Sequence, residues 1–199
     1  MSYSQIGQDV EVHHAYPNGG FYVEIGASDG IELSNTYLLE KNGWNGICAE
    51  PIPDKFVKLC ENRPKANCCD KALYHTSNQV VDFDICTSYS LLSGISESID
   101  TYKQHVDQYK TTIKVETITL EDLLDMWNVP KFIEYLSLDT EGSEYDILKV
   151  FDFTKYKFGI IHVEHNYIEP RRTQIRLLLE SNGYKFEKEN NWDDCYKLL

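Results

Sequence analysis

Side chains able to do chemistry follow short apolar runs at four places in this chain. The first is the turn Gly26-Ala27-Ser28-Asp29-Gly30, directly after Phe21-Tyr22-Val23-Glu24-Ile25. Its terminal glycines permit positive φ and a close approach of backbone to a ligand. The second is Glu50, with Pro51 behind it, after Ile47-Cys48-Ala49. An acid about 20 residues beyond a glycine turn, at the end of the second strand, can accept both hydroxyls of a ribose. The third is Asp139, and the fourth is Glu164-His165-Asn166. Ligands in an open α/β sheet bind at the carboxyl ends of the strands, so these four places are expected to converge in space.

The turn reads G-x-x-x-G and not G-x-G-x-x-G, so it offers no tight cradle for a pyrophosphate. That favours a cofactor with an adenosine but no phosphates, which points to S-adenosylmethionine. The same missing pattern disfavours the alternative of a nicotinamide-dependent oxidoreductase. Taken alone, the glycines read equally well as a plain strand-turn-helix. Glu24, Asp29 and Glu50 at strand ends or in the turn are what add a binding role.

Methyl transfer to a hydroxyl is an in-line displacement in which the protein aligns the nucleophile and removes its proton. An aliphatic hydroxyl is a very weak acid, and two devices can activate it. One is a divalent metal on the all-oxygen set Asp139, Glu164 and Asn166, suited to Mg²⁺ or Mn²⁺. The other is a general base, with His165 as the candidate, oriented by Asp139 or Glu141.

The elements that must position these residues follow from apolar patterning. Strands are expected at 21–25, 47–49, 66–69, 132–138 and 159–163, with helices at 36–41, 54–62, 120–127, 143–151 and 171–182. A helix begins near Ser4 and runs to about Tyr16 as an N-terminal cap, residues 1–20. Thr119 and Asp122 form a capping-box pattern. Residues 80–85 read as a strand, an extra hairpin arm at the sheet edge, and 115–118 as another strand. Residues 87–112 are the least regular part, and 97–109 reads as a lid helix or a solvated insertion. Residues 184–187 and 195–198 close the chain as an antiparallel pair. The whole is an α/β fold in one domain, residues 1–199, with helices on both faces of a mostly parallel sheet.

The joint pattern carries a resemblance. VEIGASDG, SNT-LLE, GW-G, EP-P and NR, then YLSLDTEGSEYDILK and HVEHN, with SQIGQD at the start, are similar to the FkbM-type S-adenosylmethionine-dependent methyltransferases. The resemblance covers roughly residues 4–184. It implies a class I methyltransferase fold with a seven-stranded sheet, and O-methylation of a sugar, glycan or related polyol. It also implies that Gln5 and Gln8 face the methionine end of the cofactor. The cofactor contacts expected are then Gln5, Gln8, Glu24, Gly26, Ala27, Ser28, Asp29, Gly30, Asn35, Glu50, Pro51 and Asp139. Asp70 and Ala72, at the end of the third strand, are expected near the adenine. Asp139, Glu164 and His165 are the expected catalytic residues. An acid after one strand and an acid-amide cluster after the next is similar to the metal-dependent catechol and macrolide-sugar methyltransferases. A non-catalytic methyltransferase-like binding protein is disfavoured, because polar residues occupy every strand end an enzyme would use.

Composition narrows the partners. A net charge of −13 over 199 residues argues against nucleic acid and anionic membranes, since neutralising phosphates needs clustered Lys and Arg. The one tight basic pair near a site, Arg171-Arg172, reads as two exposed charges on the first turn of a helix. No run of 18 apolar residues suggests a membrane span. The six cysteines form no C-x-x-C pair, which does not suggest zinc, and they read as reduced thiols in a cytoplasmic setting. The expected partner is a small-molecule or glycan acceptor.

Overall fold

A computed structural model describes residues 1–99 and 102–199. After helix α1 (Gln8–Ala15), the chain alternates strand and helix: β1 (Phe21–Ile25), α2 (Tyr37–Lys41), β2 (Asn45–Ala49), α3 (Pro53–Asn62) and β3 (Asn67–Cys69). The second half continues with α5 (Leu120–Met126), β8 (Phe132–Leu138), α6 (Glu144–Leu148), β9 (Lys157–Glu164) and α7 (Arg171–Ser181). It ends in β10 (Tyr184–Asn190) and β11 (Asp193–Leu198). Between the halves lie β4 (Ala72–Leu73), β5 (Val80–Cys86), β6 (Gly94–Ile95), α4 (Lys103–Tyr109) and β7 (Lys110–Ile118).

The main sheet has seven strands in the order β10-β11-β9-β8-β1-β2-β3. All neighbours from β3 to β9 are parallel, and β11 runs antiparallel between β9 and β10. From β1 the chain winds outward to β2 and β3, then returns to β8 on the other flank. The strand order therefore reverses between β1 and β8, where the carboxyl ends of neighbouring strands diverge and leave a crevice.

Alternation along β1 divides the core. Val23 and Ile25 pack with Leu123 and Leu124 of α5, Ile147 of α6 and Leu179 of α7. Tyr22 points the other way, to Val12 of α1, Leu39 of α2 and Leu59 of α3. A two-residue side-chain period on a strand covered by helices on both sides requires apolar residues in both phases. Glu24 is the exception, and its partners are described below. The hydroxyl of Thr119 accepts from the Asp122 amide at 3.1 Å and caps α5, as the sequence pattern leads one to expect.

The segment between β3 and α5 differs from the sequence expectation. Residues 80–85 are not an edge arm of the main sheet. They lie inside a second, four-stranded sheet of order β4-β7-β5-β6. Nor does the strand expected at 115–118 start there, because pairing with β5 extends it back to Lys110. Residues 110–114, Lys-Thr-Thr-Ile-Lys, alternate with charge on the exposed face, so only the partner strand reveals them. Of the segment 97–109, the described helix is α4, and residues 100–101 lie outside the described residues.

Candidate active site

The crevice holds a cavity of about 450 Å³. Its floor is built where β1 and β8 end. The Asp139 amide donates to the Ile25 carbonyl at 3.2 Å, which locks the two strand ends together. Gly26, at φ +85°, lines the cavity just beyond. A Cβ there would sit 2.0 Å from the Asp139 carbonyl oxygen. The backbone of Asp139 thus by itself demands glycine here, while Gly26 keeps its expected place on the cavity wall.

The turn after β1 divides into a lining part and a supporting part. Ala27 and Ser28 line the cavity, and the buried Ser28 hydroxyl has no hydrogen-bond partner. Asp29 and Gly30 lie outside the lining and are corrected as cofactor contacts. The Asp29 carboxylate accepts from the amides of Ile31 and Glu32, an Asx-type turn. Gly30 packs on α3, where an added Cβ would meet Leu59 and Arg63 at 2.6 Å.

Glu24 lines the cavity, but its carboxylate is committed. It accepts from the hydroxyls of Ser34 and Thr36 and from the Asn35 amide at 2.6 Å. Arg63, fully buried, approaches it at 3.5 Å and donates to Glu40, Tyr22, Thr36 and the Gly30 carbonyl. Glu24 and Arg63 therefore hold the loop that presents Asn35. That side chain donates to Ser137 at 2.8 Å, and its own oxygen is buried without a partner.

At the end of β2, Glu50 is buried, and each of its oxygens accepts one backbone amide. Ser28 donates to one at 2.9 Å and Ile52 to the other at 2.8 Å. Both oxygens retain acceptor capacity on the cavity side. Burial pushes its carboxyl up to about 7, against the pull of the Ile52 and Ser28 amides. Pro51 and Ala72 line the same end, whereas Asp70 is exposed outside it and is corrected as an adenine contact. The chain turns at Asp70 so that Lys71 and Ala72 face inward.

The opposite end is acidic. Asp139, Glu141 and Glu164 offer carboxylate oxygens that all lie within 4.8 Å of one another. Glu164 is buried, and its Oε2 has no hydrogen-bond partner. Burial raises its carboxyl well above the usual range, and Asp139 and Glu141 raise it further. Burial, with Asp193 nearby, likewise pushes Asp139 up to about 7. Carboxylates packed this closely must share a proton or a cation. Asn166 lines the cavity and turns its amide nitrogen toward Glu141 at 3.5 Å.

His165 does not reach the cavity, which removes it as a general base. It is 1% exposed, its Nδ1 accepts from the Tyr167 amide, and its Nε2 lies 3.4 Å from Asp194. Strand alternation explains this, because Glu164 points one way from the sheet end and His165 the other. Arg171 and Arg172 are not exposed charges. Arg171 donates to the Gly142 carbonyl, and Arg172 pairs with Asp194 and Glu189.

The sequence reading also missed residues. Asp193 lines the cavity, accepts from Gln8 at 2.9 Å and sits opposite Glu164 across the β11–β9 pair. Burial pushes its carboxyl up to about 6. The final strand was read from residue 195, two positions late, which hid this register. Gln8 and Gln5 both line the cavity, so α1 closes its acidic end. The second sheet supplies an apolar wall of Phe83 and Ile95, continued by Tyr89, Leu91, Leu92 and Tyr102. Of the segment 97–109, Tyr102 lines the cavity and no residue of α4 does.

Comparison with known proteins gives the architecture relatives. The family model described as the Methyltransferase FkbM domain matches residues 24–186. No curated protein matches the chain. Among solved structures, the fibrillarin pre-rRNA processing protein of Methanococcus jannaschii aligns with a TM-score of 0.50 at 11% identity, over 90% of this chain and 66% of that one. Ribosomal protein L11 methylase from Lactobacillus delbrueckii subsp. bulgaricus gives 0.47 at 9% identity, over 96% and 77%. A TehB-like SAM-dependent methyltransferase from Corynebacterium glutamicum gives 0.46 at 10% identity, over 98% and 89%. At such identities the likeness to fibrillarin speaks for a shared fold and nothing further.

Proposed function

This chain belongs to the methyltransferase FkbM domain family, with its class I S-adenosylmethionine-dependent fold, and on that premise we propose that it methylates a hydroxyl of a sugar, glycan or related polyol. The observation that carries the reading is the carboxylate cluster of Asp139, Glu141 and the buried Glu164, which lines the same cavity as Glu50. When bound, S-adenosylmethionine supplies an activated methyl group on a sulfonium that leaves readily. Its fit rests on unpartnered buried oxygens of Ser28, Asn35 and Glu164 along the cavity, with Glu50 at one end able to accept ribose hydroxyls.

The chain's own residues then have distinct tasks. Glu50 holds the nucleoside end. Gln5, Gln8 and Asp193 line the other end, and acids there complement a cationic amino-acid group. Asp139 and Glu164 face the acceptor hydroxyl, and Asp139, its carboxyl pushed up to about 7, takes the proton. The hard oxygen set Asp139, Glu141 and Glu164 also fits Mg²⁺ or Mn²⁺, which would lower the pKa of a bound hydroxyl. Glu141 thereby joins the ligands expected from sequence, with Asn166 behind it. Among the described residues, Glu24, Glu32, Glu50, Asp139, Glu141, Glu164 and Asp193 line the cavity, and Lys55 and Lys71 are the lysines and arginines that do. That balance repels phosphates and supports an uncharged acceptor over nucleic acid. No helix among the described residues is long and apolar enough to cross a membrane, and a cytoplasmic location is part of the same proposal.

The test is incubation with methyl-labelled S-adenosylmethionine and a panel of sugars and polyols, with product analysis by NMR. Labelled methyl ether, formed with Mg²⁺ and lost in chelator, is the expected result. Methylation at nitrogen alone would overturn hydroxyl transfer, and undiminished ether formation in chelator would overturn the metal.

Glu50→Ala is expected to weaken S-adenosylmethionine binding by about 1.5–3 kcal/mol through loss of a charge-assisted pair. In the native protein the ionised form is the acceptor, so affinity should fall as pH drops through about 7. Calorimetry across that range checks both, and a variant with native affinity would displace Glu50 from the ribose.

A further inference from the structure

On the α1 side of the sheet, away from the acceptor cluster, three side chains far apart in sequence meet. His162 on β9 and Cys195 on β11 are directly opposed register partners, and Glu11 of α1 lies over them. Their donor atoms all lie within 4.8 Å of one another. His162 Nε2 is 3.8 Å from one Glu11 oxygen, and Cys195 Sγ is 3.9 Å from the other. His162 is 1% exposed, and its Nε2 has no hydrogen-bond partner. A buried polar atom left so calls for an explanation.

We propose that Glu11, His162 and Cys195 form a binding site for a transition-metal ion of the zinc class, separate from the catalytic cavity. A nitrogen, a sulfur and a carboxylate oxygen suit a borderline-soft ion and not Mg²⁺ or Ca²⁺. Tetrahedral bonds of about 2.0–2.3 Å place such donors roughly 3.3–3.6 Å apart. The three donors, all within 4.8 Å of one another, must therefore draw together, the Glu11 contacts at 3.8 and 3.9 Å closing by a few tenths of an ångström. Glu11 is half-buried on a surface helix and can supply that movement.

The surroundings have the features of a second layer. His162 Nδ1 lies 3.0 Å from the Tyr135 hydroxyl. With Nδ1–H donating to that oxygen, Nε2 presents its lone pair to the cluster, the arrangement found for ligating histidines. Lys188 now pairs with Glu11 at 2.8 Å, and its half-exposed stem can swing outward to admit the ion and a water. Binding replaces the Cys195 S–H bond with a sulfur–metal bond and releases one proton to solvent. Neutral His162 releases none, since burial holds its ring down to about 4. A divalent ion with Glu11 carboxylate and Cys195 thiolate makes a net-neutral site, which suits its burial. The ion would also pin α1, whose Gln8 lines the cavity, to two strands of the sheet.

The test is titration of the metal-free full chain with Co²⁺. Expected are one bound ion, tetrahedral visible bands, a thiolate-to-cobalt band in the near ultraviolet, and one proton released per ion. Cys195→Ser should abolish the thiolate band. Glu11→Gln, on the half-exposed helix, should weaken binding, and Tyr135→Phe should weaken it by about 10–100-fold. If Cys195→Ser fails to fold, Glu11→Gln decides. Absence of the thiolate band, its survival in Cys195→Ser through another cysteine, or native affinity in Glu11→Gln would overturn the site.

Discussion

Asp139→Asn is expected to cut turnover by about 10²–10⁴-fold while S-adenosylmethionine affinity stays within a few-fold of native. The substitution keeps the side chain's shape and leaves the backbone bond from the Asp139 amide to Ile25 in place. What it removes is a carboxylate that burial and its acidic neighbours hold near 7, and with it the proton acceptor or metal ligand facing the hydroxyl. The effect should therefore appear in kcat at saturating cofactor. Steady-state kinetics beside calorimetry separate the two terms. A variant that loses cofactor binding in proportion to turnover would make Asp139 a cofactor contact and not a catalytic group.

Arg63→Met is expected to destabilise the fold by about 3–5 kcal/mol, more than other single changes near the site. Its guanidinium is fully buried and ties α3 to Glu40 at 2.8 Å, to Tyr22 on β1, to Thr36 and to the Gly30 carbonyl. Removing it takes the cation away from the carboxylates of Glu24 and Glu40, which then keep only neutral donors in a low-dielectric interior. Denaturant unfolding measures the loss. A decrease under about 1 kcal/mol would mean that the carboxylates find other partners or water.

Much of the scaffold can be read from the chain because its strands are short apolar runs ended by polar residues. Phe21–Ile25 and residues 47–49 are such runs, the second extended by the structure back to Asn45, and the turn between Ile25 and the next helix gives their connection. The same logic brings Asp139 and Glu164 to the ends of neighbouring strands. It fails where a role depends on register or on a partner from elsewhere. Asp193 reads as a hairpin turn until its pairing with Glu164 is known. Glu141 reads only as an acid that could orient His165 until the fold sets it beside Asp139 and Glu164. His165 looks like a base by type, and only the phase of β9 shows it turned toward Asp194. Arg63 enters the sequence reading only within the NR pair of the family resemblance and without a role, since its acceptors come from the β1 strand, the loop after it and α2. The Asp29 carboxylate illustrates the opposite error, a polar turn residue whose bonds are purely local.

The account turns on one cavity serving both cofactor and acceptor, and a crystal structure with S-adenosylhomocysteine tests that most directly. The predicted result has both ribose hydroxyls on the Glu50 carboxylate, the amino-acid end beside Gln8 and Asp193, and the sulfur turned toward Asp139 and Glu164. A complex in which Glu50 makes no ribose contact, or in which the sulfur faces away from the Asp139–Glu141–Glu164 cluster, would contradict it.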